Sequence, residues 1–399
     1  MSRKFLQDNF VSVFSSILIG MGNWFFGYMI LRLVSENDLT RYQAFVGLLG
    51  IFSIPGMWII LMTTKLGHTF NLFVKDFFSK NKALFYFAGL VLLVGTFVAC
   101  IVSNIETYFF GLLFFLTSLA LISSYYRGML QHELMFVKLA YIGLFEVVMK
   151  IGIFLAFVFL DLKPASMFAA VSIQSSVSVY ILYKISKDLR SHLPAVSIRK
   201  EAILTFFYGF GMVFFSSIDV IMAKRLLDSQ SNVNYIAILQ IIKLLFFASS
   251  ALINVLLPSA SKTNNAKELF KMVTITAFLI IMGSITLMGI TYFEFGKISE
   301  LFRIKDVNVN LAVLFLGYAC LFSLSQIPMT ILLIKKVGSL KYVISAIVLV
   351  QAALYIVVGH NLLSFIHIYG VVAGLLFVGS SSALAYYYKK QPIQYDNIK

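Results

Sequence analysis

The chain has 399 residues, of which 60% are hydrophobic and only 12% charged, against roughly 45–50% and about 25% in an ordinary soluble domain. That balance excludes a water-soluble globular fold. The formal charge of +15 does not point to nucleic acid either, because the lysines and arginines are scattered between apolar runs rather than gathered on one soluble face.

Apolar runs of about 20 residues, the length a helix needs to cross a hydrocarbon layer of about 30 Å, recur along the chain. Twelve are expected. The first six are 10–31, 43–64, 83–102, 108–126, 139–160 and 165–183, and the second six are 202–223, 235–257, 272–292, 309–332, 342–359 and 367–388. A lipid-facing backbone must satisfy its hydrogen bonds internally, so each is expected to be a helix.

The first run lacks a small-residue cleavage site and is too long for a signal-peptide core, so it reads as a retained first span. After the second, Phe70, Phe73, Val74, Phe77 and Phe78 follow helical spacing while His68, Asn71, Lys75, Asp76 and Lys80 take the other face. This predicts an interfacial helix, with a solvated extension of the neighbouring spans as the alternative. Cys100 and Cys320 fall inside the third and tenth spans, where each is expected to pack as a small hydrophobic thiol.

Ionisable residues within spans are costly, by about 2.5–3.5 kcal/mol on insertion scales, so each needs a partner or a purpose. Glu146 and Lys150 stand four apart in the fifth span, acid before base, as an intrahelical pair prefers. They read as a structural ion pair, as a charged step lining a cavity, or as a proton-linked carboxylate with its neighbour. The polar stretch 184–200 is the clearest linker and divides the chain into 1–190 and 191–399. Asp219 in the seventh span and Lys243 in the eighth lie at depths that would let them meet across neighbouring helices.

Of the 32 lysines and arginines, 22 fall in the termini and even-numbered loops and 8 in the odd-numbered loops. The positive-inside rule therefore places both termini in the cytoplasm. A shift of 193 residues lays Met29 on Met222, Arg32 on Arg225, Tyr42 on Tyr235 and Ala44 on Ala237. With six spans in each half, the halves share one orientation about an axis along the membrane normal. The expected fold is an all-α integral membrane protein of about twelve transmembrane helices in two six-helix pseudo-symmetric bundles around a central cavity.

The connection LVSENDLTRYQAFVGLLGIFSIP after the first span resembles the L-S-x-x-x-[FY]-G-x-Y connection of the polysaccharide and O-antigen repeat-unit flippases. These belong to the multidrug/oligosaccharidyl-lipid/polysaccharide exporter superfamily. RLLDSQSNVNYIAILQIIKLLFFASSALINVLLPSAS after the seventh span, YYRGMLQHELMFVKLAYIGLFEVVMK and the closing IYGVVAGLLFVGSSSALAYYY are similar to the same family. Leu39 and Thr40, with Asn232 and Val233, depart from the usual aromatic and glycine.

The resemblance implies a flippase of the bacterial inner membrane that turns undecaprenyl-diphosphate-linked oligosaccharide repeat units to the outer leaflet for O-antigen, capsule or exopolysaccharide assembly. Its partners would be that lipid-linked substrate, membrane lipids, and a polysaccharide polymerase and chain-length regulator. A diphosphate crossing a medium that cannot solvate it needs fixed cations or a watery path. Lys243, Arg225 and Arg32 are the candidates, with Asp219 modulating Lys243; the alternative for the two arginines is snorkelling to headgroups. Asn23, Trp24, Gln174, Gln240, Asn254 and Gln326, with 20 tyrosines, offer partners for sugars.

The histidines His68, His132, His192, His360 and His367 lack metal-ligand spacing, and neither a P-loop nor HExxH is present. No metal, cofactor or enzymatic activity is expected. The rival reading is a cation-coupled multidrug antiporter, whose essential carboxylate in the first half would have to be Glu146. A membrane polysaccharide polymerase or acyltransferase is a more distant rival, because the longest outer loop, about 293–308, is short.

Overall fold

The computed structural model describes residues 3–66, 82–102, 105–106, 109–133, 135–187, 199–262, 266–335, 337–338 and 340–390. The expected interfacial helix over 68–80 and most of the 184–200 linker lie outside them. The described residues are helical, with no strand among them. The helices are α1 (Arg3–Leu33), α2 (Glu36–Phe52), α3 (Ile54–Leu66), α4 (Lys82–Val102), α5 (Phe109–His132), α6 (Phe136–Phe159) and α7 (Lys163–Ser186). There follow α8 (Arg199–Leu226), α9 (Ser229–Lys262), α10 (Ala266–Phe293), α11 (Phe295–Phe302), α12 (Val309–Ile334), α13 (Leu340–Val358) and α14 (Leu362–Lys390).

Nine helical stretches among the described residues are long and apolar enough to cross a membrane singly, and α2 with α3 forms a tenth span bent by 44°. The shorter apolar stretches Gly89–Ile101 and Tyr342–Val358 fall on the third and eleventh expected spans. Each of the twelve expected spans thus has its helix. The bend has a local cause: Pro55, second in α3, has no N–H to continue the ladder. Ser53 closes the preceding turn, its N–H bonding Leu49 O and Gly50 O and its hydroxyl donating to Gly50 O at 2.7 Å.

Most helices run a few residues past the expected bounds, and two differences bear on the sites. α5 runs on to His132 rather than stopping at 126, which brings Arg127 into the helix. The loop over 293–308 contains the short helix α11, anchored by buried Phe302 and by an ion pair of 2.7 Å between Lys297 and Glu294.

Contacts group the chain into two compact units, Met29–Asn232 and Met1–Tyr28 with Val233–Lys399. The expected division at 190/191 follows the repeat, whereas this grouping follows packing, so the two lines cross at α1 and α8. In the 29–232 unit, α8 packs on α2 and α3, α3 on α5, α5 on α7, and α6 on α7. Small residues set these distances, as they do where lipid leaves no hydrophobic force to drive helices together. A methyl group on Gly128 of α5 would stand 2.7 Å from Thr63 Cβ in α3, and one on Gly56 of α3 would stand 2.7 Å from Ser124 Oγ in α5.

In the other unit, α12 packs on α10 and α14, and α13 on α14. Its core holds Tyr235, Phe315, Tyr355, Phe365 and Tyr369, all fully buried, with ring centroids 4.3–5.4 Å apart. Beside it, the Asn234 side chain clasps the backbone of Lys305, donating to its carbonyl at 2.7 Å and accepting its N–H at 3.0 Å. Cys100 is buried and Cys320 half-buried, both as free thiols.

Candidate functional site

α1 and α9 meet in an antiparallel seam within the unit formed by 1–28 and 233–399. A methyl on Gly20 would lie 2.6 Å from Phe247 Cβ, and one on Gly27 would lie 2.6 Å from Gln240 Oε1. Gly20 and Gly27 are a heptad apart, as are Gln240 and Phe247, so one face of each helix looks at the other along two turns. The register between these crossings puts Trp24 at the level of Lys243.

The seam is rich in donors. Gln240 is 1% exposed and its Nε2 has no hydrogen-bond partner; the Trp24 indole N–H is likewise buried and unpartnered. Trp24 is fixed by rings: Tyr28 stacks on it at 6.0 Å, and Phe302 of α11 lies 5.9 Å from it and 5.6 Å from Tyr28. Lys243, one turn along α9 from Gln240, is half-buried. An ammonium, an indole N–H and an amide NH2 can all donate and offer no acceptor on those atoms. Such a set suits an anion or another acceptor-rich group.

The 29–232 unit holds the remaining candidates. Asp219 is 1% exposed in α8, and its Oδ1 accepts the Val220 N–H at 2.8 Å. It lies between Ser217 and Ile221, the residues that meet Gly47 and Gly50 of α2. Glu146 of α6 is paired with Arg127 of α5, nineteen residues upstream. Arg32, in the last turn of α1, and Lys150 are half-buried, and both have contacts of their own. Arg225 is exposed in the last turn of α8. Arg32, Arg225 and Asp219 thus share one unit with Glu146 and Lys150, and Lys243 belongs to the other.

A second charged cluster stands at the end of the 29–232 unit where α2, α5 and α7 begin. Ser35 caps α2, its Oγ accepting the Asp38 N–H at 3.2 Å while its hydroxyl donates to Asp38 Oδ2 at 2.6 Å. Arg41, one turn on, reaches Glu106 Oε1 at 2.8 Å and Asp38 Oδ1 at 3.9 Å. Lys224, at the end of α8, lies within the electrostatic reach of Glu106 and Arg41. Asp38 and Arg41 form one rim of a cleft of about 480 Å³ whose walls are Phe109 and Leu112 of α5 and Ala165, Phe168, Ala169 and Ser172 of α7.

Sequence reasoning missed this cluster and the role of Arg127. The Asp38/Arg41 spacing of three, at a helix start marked by Ser35, is a signal for the first. Nothing local points to Glu106, which reaches Arg41 from the loop between α4 and α5.

No protein-family profile matches the sequence, and no curated protein is similar to it in sequence. In three dimensions the chain is similar to a MOP-superfamily transporter from Pyrococcus furiosus, described by a reverse polarity of its binding pocket that suggests a different function. The TM-score is 0.63 at 11% identity, over 96% of this chain and 95% of that one. A MATE transporter from Vibrio cholerae carrying an aspartate-to-asparagine substitution aligns with a TM-score of 0.60 at 12% identity, over 98% of both chains. An inward-facing multidrug-resistance MATE transporter aligns with a TM-score of 0.54 at 11% identity, over 94% of this chain and 99% of that one. At such identities the likeness is one of architecture: this chain has the all-α membrane fold of the MOP-superfamily transporters.

Proposed function

We propose that the chain is a membrane transporter that flips an anionic lipid-linked oligosaccharide, an undecaprenyl-diphosphate repeat unit, from the cytoplasmic to the outer leaflet. The observation that carries this reading is the seam of α1 and α9, where two buried N–H donors have no acceptor. Lys243 lies there at the level of Trp24 and one turn from Gln240, and the indole N–H and the amide nitrogen are buried without an acceptor. Buried donors are nearly always partnered in folded proteins, so an acceptor-rich cargo such as a diphosphate would partner these two nitrogens, beside a Lys243 that already has a contact of its own. Arg32 and Arg225, in the other unit, are further candidates for meeting an anionic cargo, and Asp219 for modulating charge there. No step in this reading makes or breaks a covalent bond, and the protein acts as a carrier rather than an enzyme.

The same fold in the neighbours lends support to a rival, the cation-coupled multidrug antiporter. That rival needs a carboxylate free to exchange cations in the first half of the chain, and Glu146 is already neutralised by Arg127. The Pyrococcus furiosus protein, whose reverse-polarity pocket suggests a different function, fits the idea that one fold serves more than one task.

The test uses cells whose surface polysaccharide depends on this chain. Lys243→Gln is expected to abolish surface polysaccharide and to leave lipid-linked units on the cytoplasmic leaflet, while Arg32→Lys and Arg225→Lys keep much of the activity. Normal surface polysaccharide from a well-expressed Lys243→Gln protein overturns the assignment.

A further inference from the structure

We infer that the cleft between the starts of α2, α5 and α7 is a binding site for a single zwitterionic phospholipid, with its phosphate on Arg41, its amine on Asp38 and one acyl chain against Phe109 and Phe168. This inference does not depend on what the protein transports.

The cleft lies at the right level. α2, α5 and α7 begin at Glu36, Phe109 and Lys163, so their first turns stand where the spans meet the headgroup region of a bilayer. Its volume of about 480 Å³ lies within the range of roughly 300–1,000 Å³ of sites that enclose small organic ligands. Below the rim, Ala165, Phe168, Ala169 and Ser172 recur at three- and four-residue intervals and so form one face of α7. Phe168 is a fixed wall, packed by Phe109 at 4.7 Å, Phe45 at 5.2 Å and Tyr42 at 5.7 Å between ring centroids. The two small alanines leave the space that a flexible chain would fill.

Charge selects the headgroup. Arg41 uses one side of its guanidinium on Glu106, and a guanidinium carries five N–H donors, so donors remain for a phosphate. Asp38 stands 3.9 Å from Arg41, too far for a hydrogen bond, and is 22% exposed. The rim therefore presents a cation and an anion side by side, and Glu106 and Lys224 behind it add one charge of each sign. A purely anionic headgroup would meet Asp38 and Glu106 with repulsion. An ethanolamine headgroup, with phosphate and ammonium two carbons apart, meets both charges of the rim with the opposite sign.

The test is lipid retention by the full-length protein, purified from membranes containing both phosphatidylethanolamine and phosphatidylglycerol and read by native mass spectrometry. The wild type is expected to keep one ethanolamine lipid in preference to the glycerol lipid. Arg41→Gln and Asp38→Asn should each lower that preference about tenfold, as loss of one charged hydrogen bond does. Ala169→Trp, which fills the cleft and leaves the rim intact, should abolish retention. A thermal melt with added phosphatidylethanolamine gives a second reading that separates lost binding from lost folding: the wild type should gain stability, and a folded variant should not. Equal retention of both lipids by the wild type, or undiminished ethanolamine preference in a folded Asp38→Asn or Ala169→Trp protein, overturns the inference.

Discussion

The pair formed by Arg127 and Glu146 sets up the sharpest test of the packing. Glu146 sits near the middle of α6 and is 13% exposed; Arg127 is five residues from the end of α5 and is 29% exposed. Removing the arginine leaves a carboxylate near mid-membrane with its cross-helix partner gone. An unpaired charge at the helix centre costs about 2.5–3.5 kcal/mol on insertion scales. Water reaching a partly exposed pair lowers that figure, so Arg127→Met is expected to destabilise the protein by about 2 kcal/mol, roughly thirtyfold in the folding equilibrium. Removing both charges restores a neutral contact and should recover most of the loss, because an ion pair is often replaceable by apolar groups while half of one is not. The assay is a denaturant titration in mixed micelles of the wild type, Arg127→Met, Glu146→Gln, the double variant and Lys150→Met. Additive losses in the double variant would refute the cross-helix pair. A loss in Lys150→Met equal to that in Arg127→Met would make Lys150 a second partner of Glu146.

A methyl on Gly50 would stand 2.4 Å from Ser217 Oγ and 3.2 Å from its Cβ. Gly50→Ala should therefore cost about 1–3 kcal/mol by overpacking the crossing of α2 and α8, and Ser217→Ala in the same protein should restore part of it in a thermal melt. Asp228, which precedes α9, is held below its ordinary pKa by the hydroxyl and backbone N–H of Ser231, the latter at 3.0 Å. Its contribution to stability should be complete above the ordinary carboxylate value of about 3.9 and be lost as pH falls through the lowered folded-state value. An unchanged pH profile of the melting temperature in Asp228→Asn would contradict this. A cysteine introduced at Ser191 should resist an impermeant thiol reagent in intact cells, as the 22-to-8 charge asymmetry requires, and labelling it would invert the topology.

The spans were readable because the signal that defines them is a bulk one. Twenty apolar residues in a row have one stable conformation in lipid, whatever their neighbours do. Boundaries were less so: the fourth span reads as ending before Arg127 on hydropathy, yet α5 continues to His132, and Arg127 within it meets Glu146 of the next helix. α11 escaped notice for the opposite reason. Its eight residues are too short to be apolar at the scale of a span, and Phe302 and the clasp of Asn234 on Lys305 hold this loop through contacts distant in sequence.

The site was readable only in its charges. Spacing rules compare residues on one helix, so they name Lys150 as a partner for Glu146 and cannot name Arg127. The pseudo-repeat pairs Arg32 with Arg225, and packing puts both in one unit, because α8 packs with α2 and α3. The donors that distinguish the seam, Trp24 and Gln240, read in the sequence as two of many polar residues in spans. What singles them out is the register fixed by Gly20 and Gly27, where the absence of two Cβ atoms lets α9 approach closely enough to bury both nitrogens. If that register is what prepares the seam for an anion, then Gly27→Leu should impair transport as severely as Lys243→Gln in a protein that is still inserted and folded. A Gly27→Leu protein that is folded and fully active would mean that the close approach of α1 and α9 has no part in recognising the cargo.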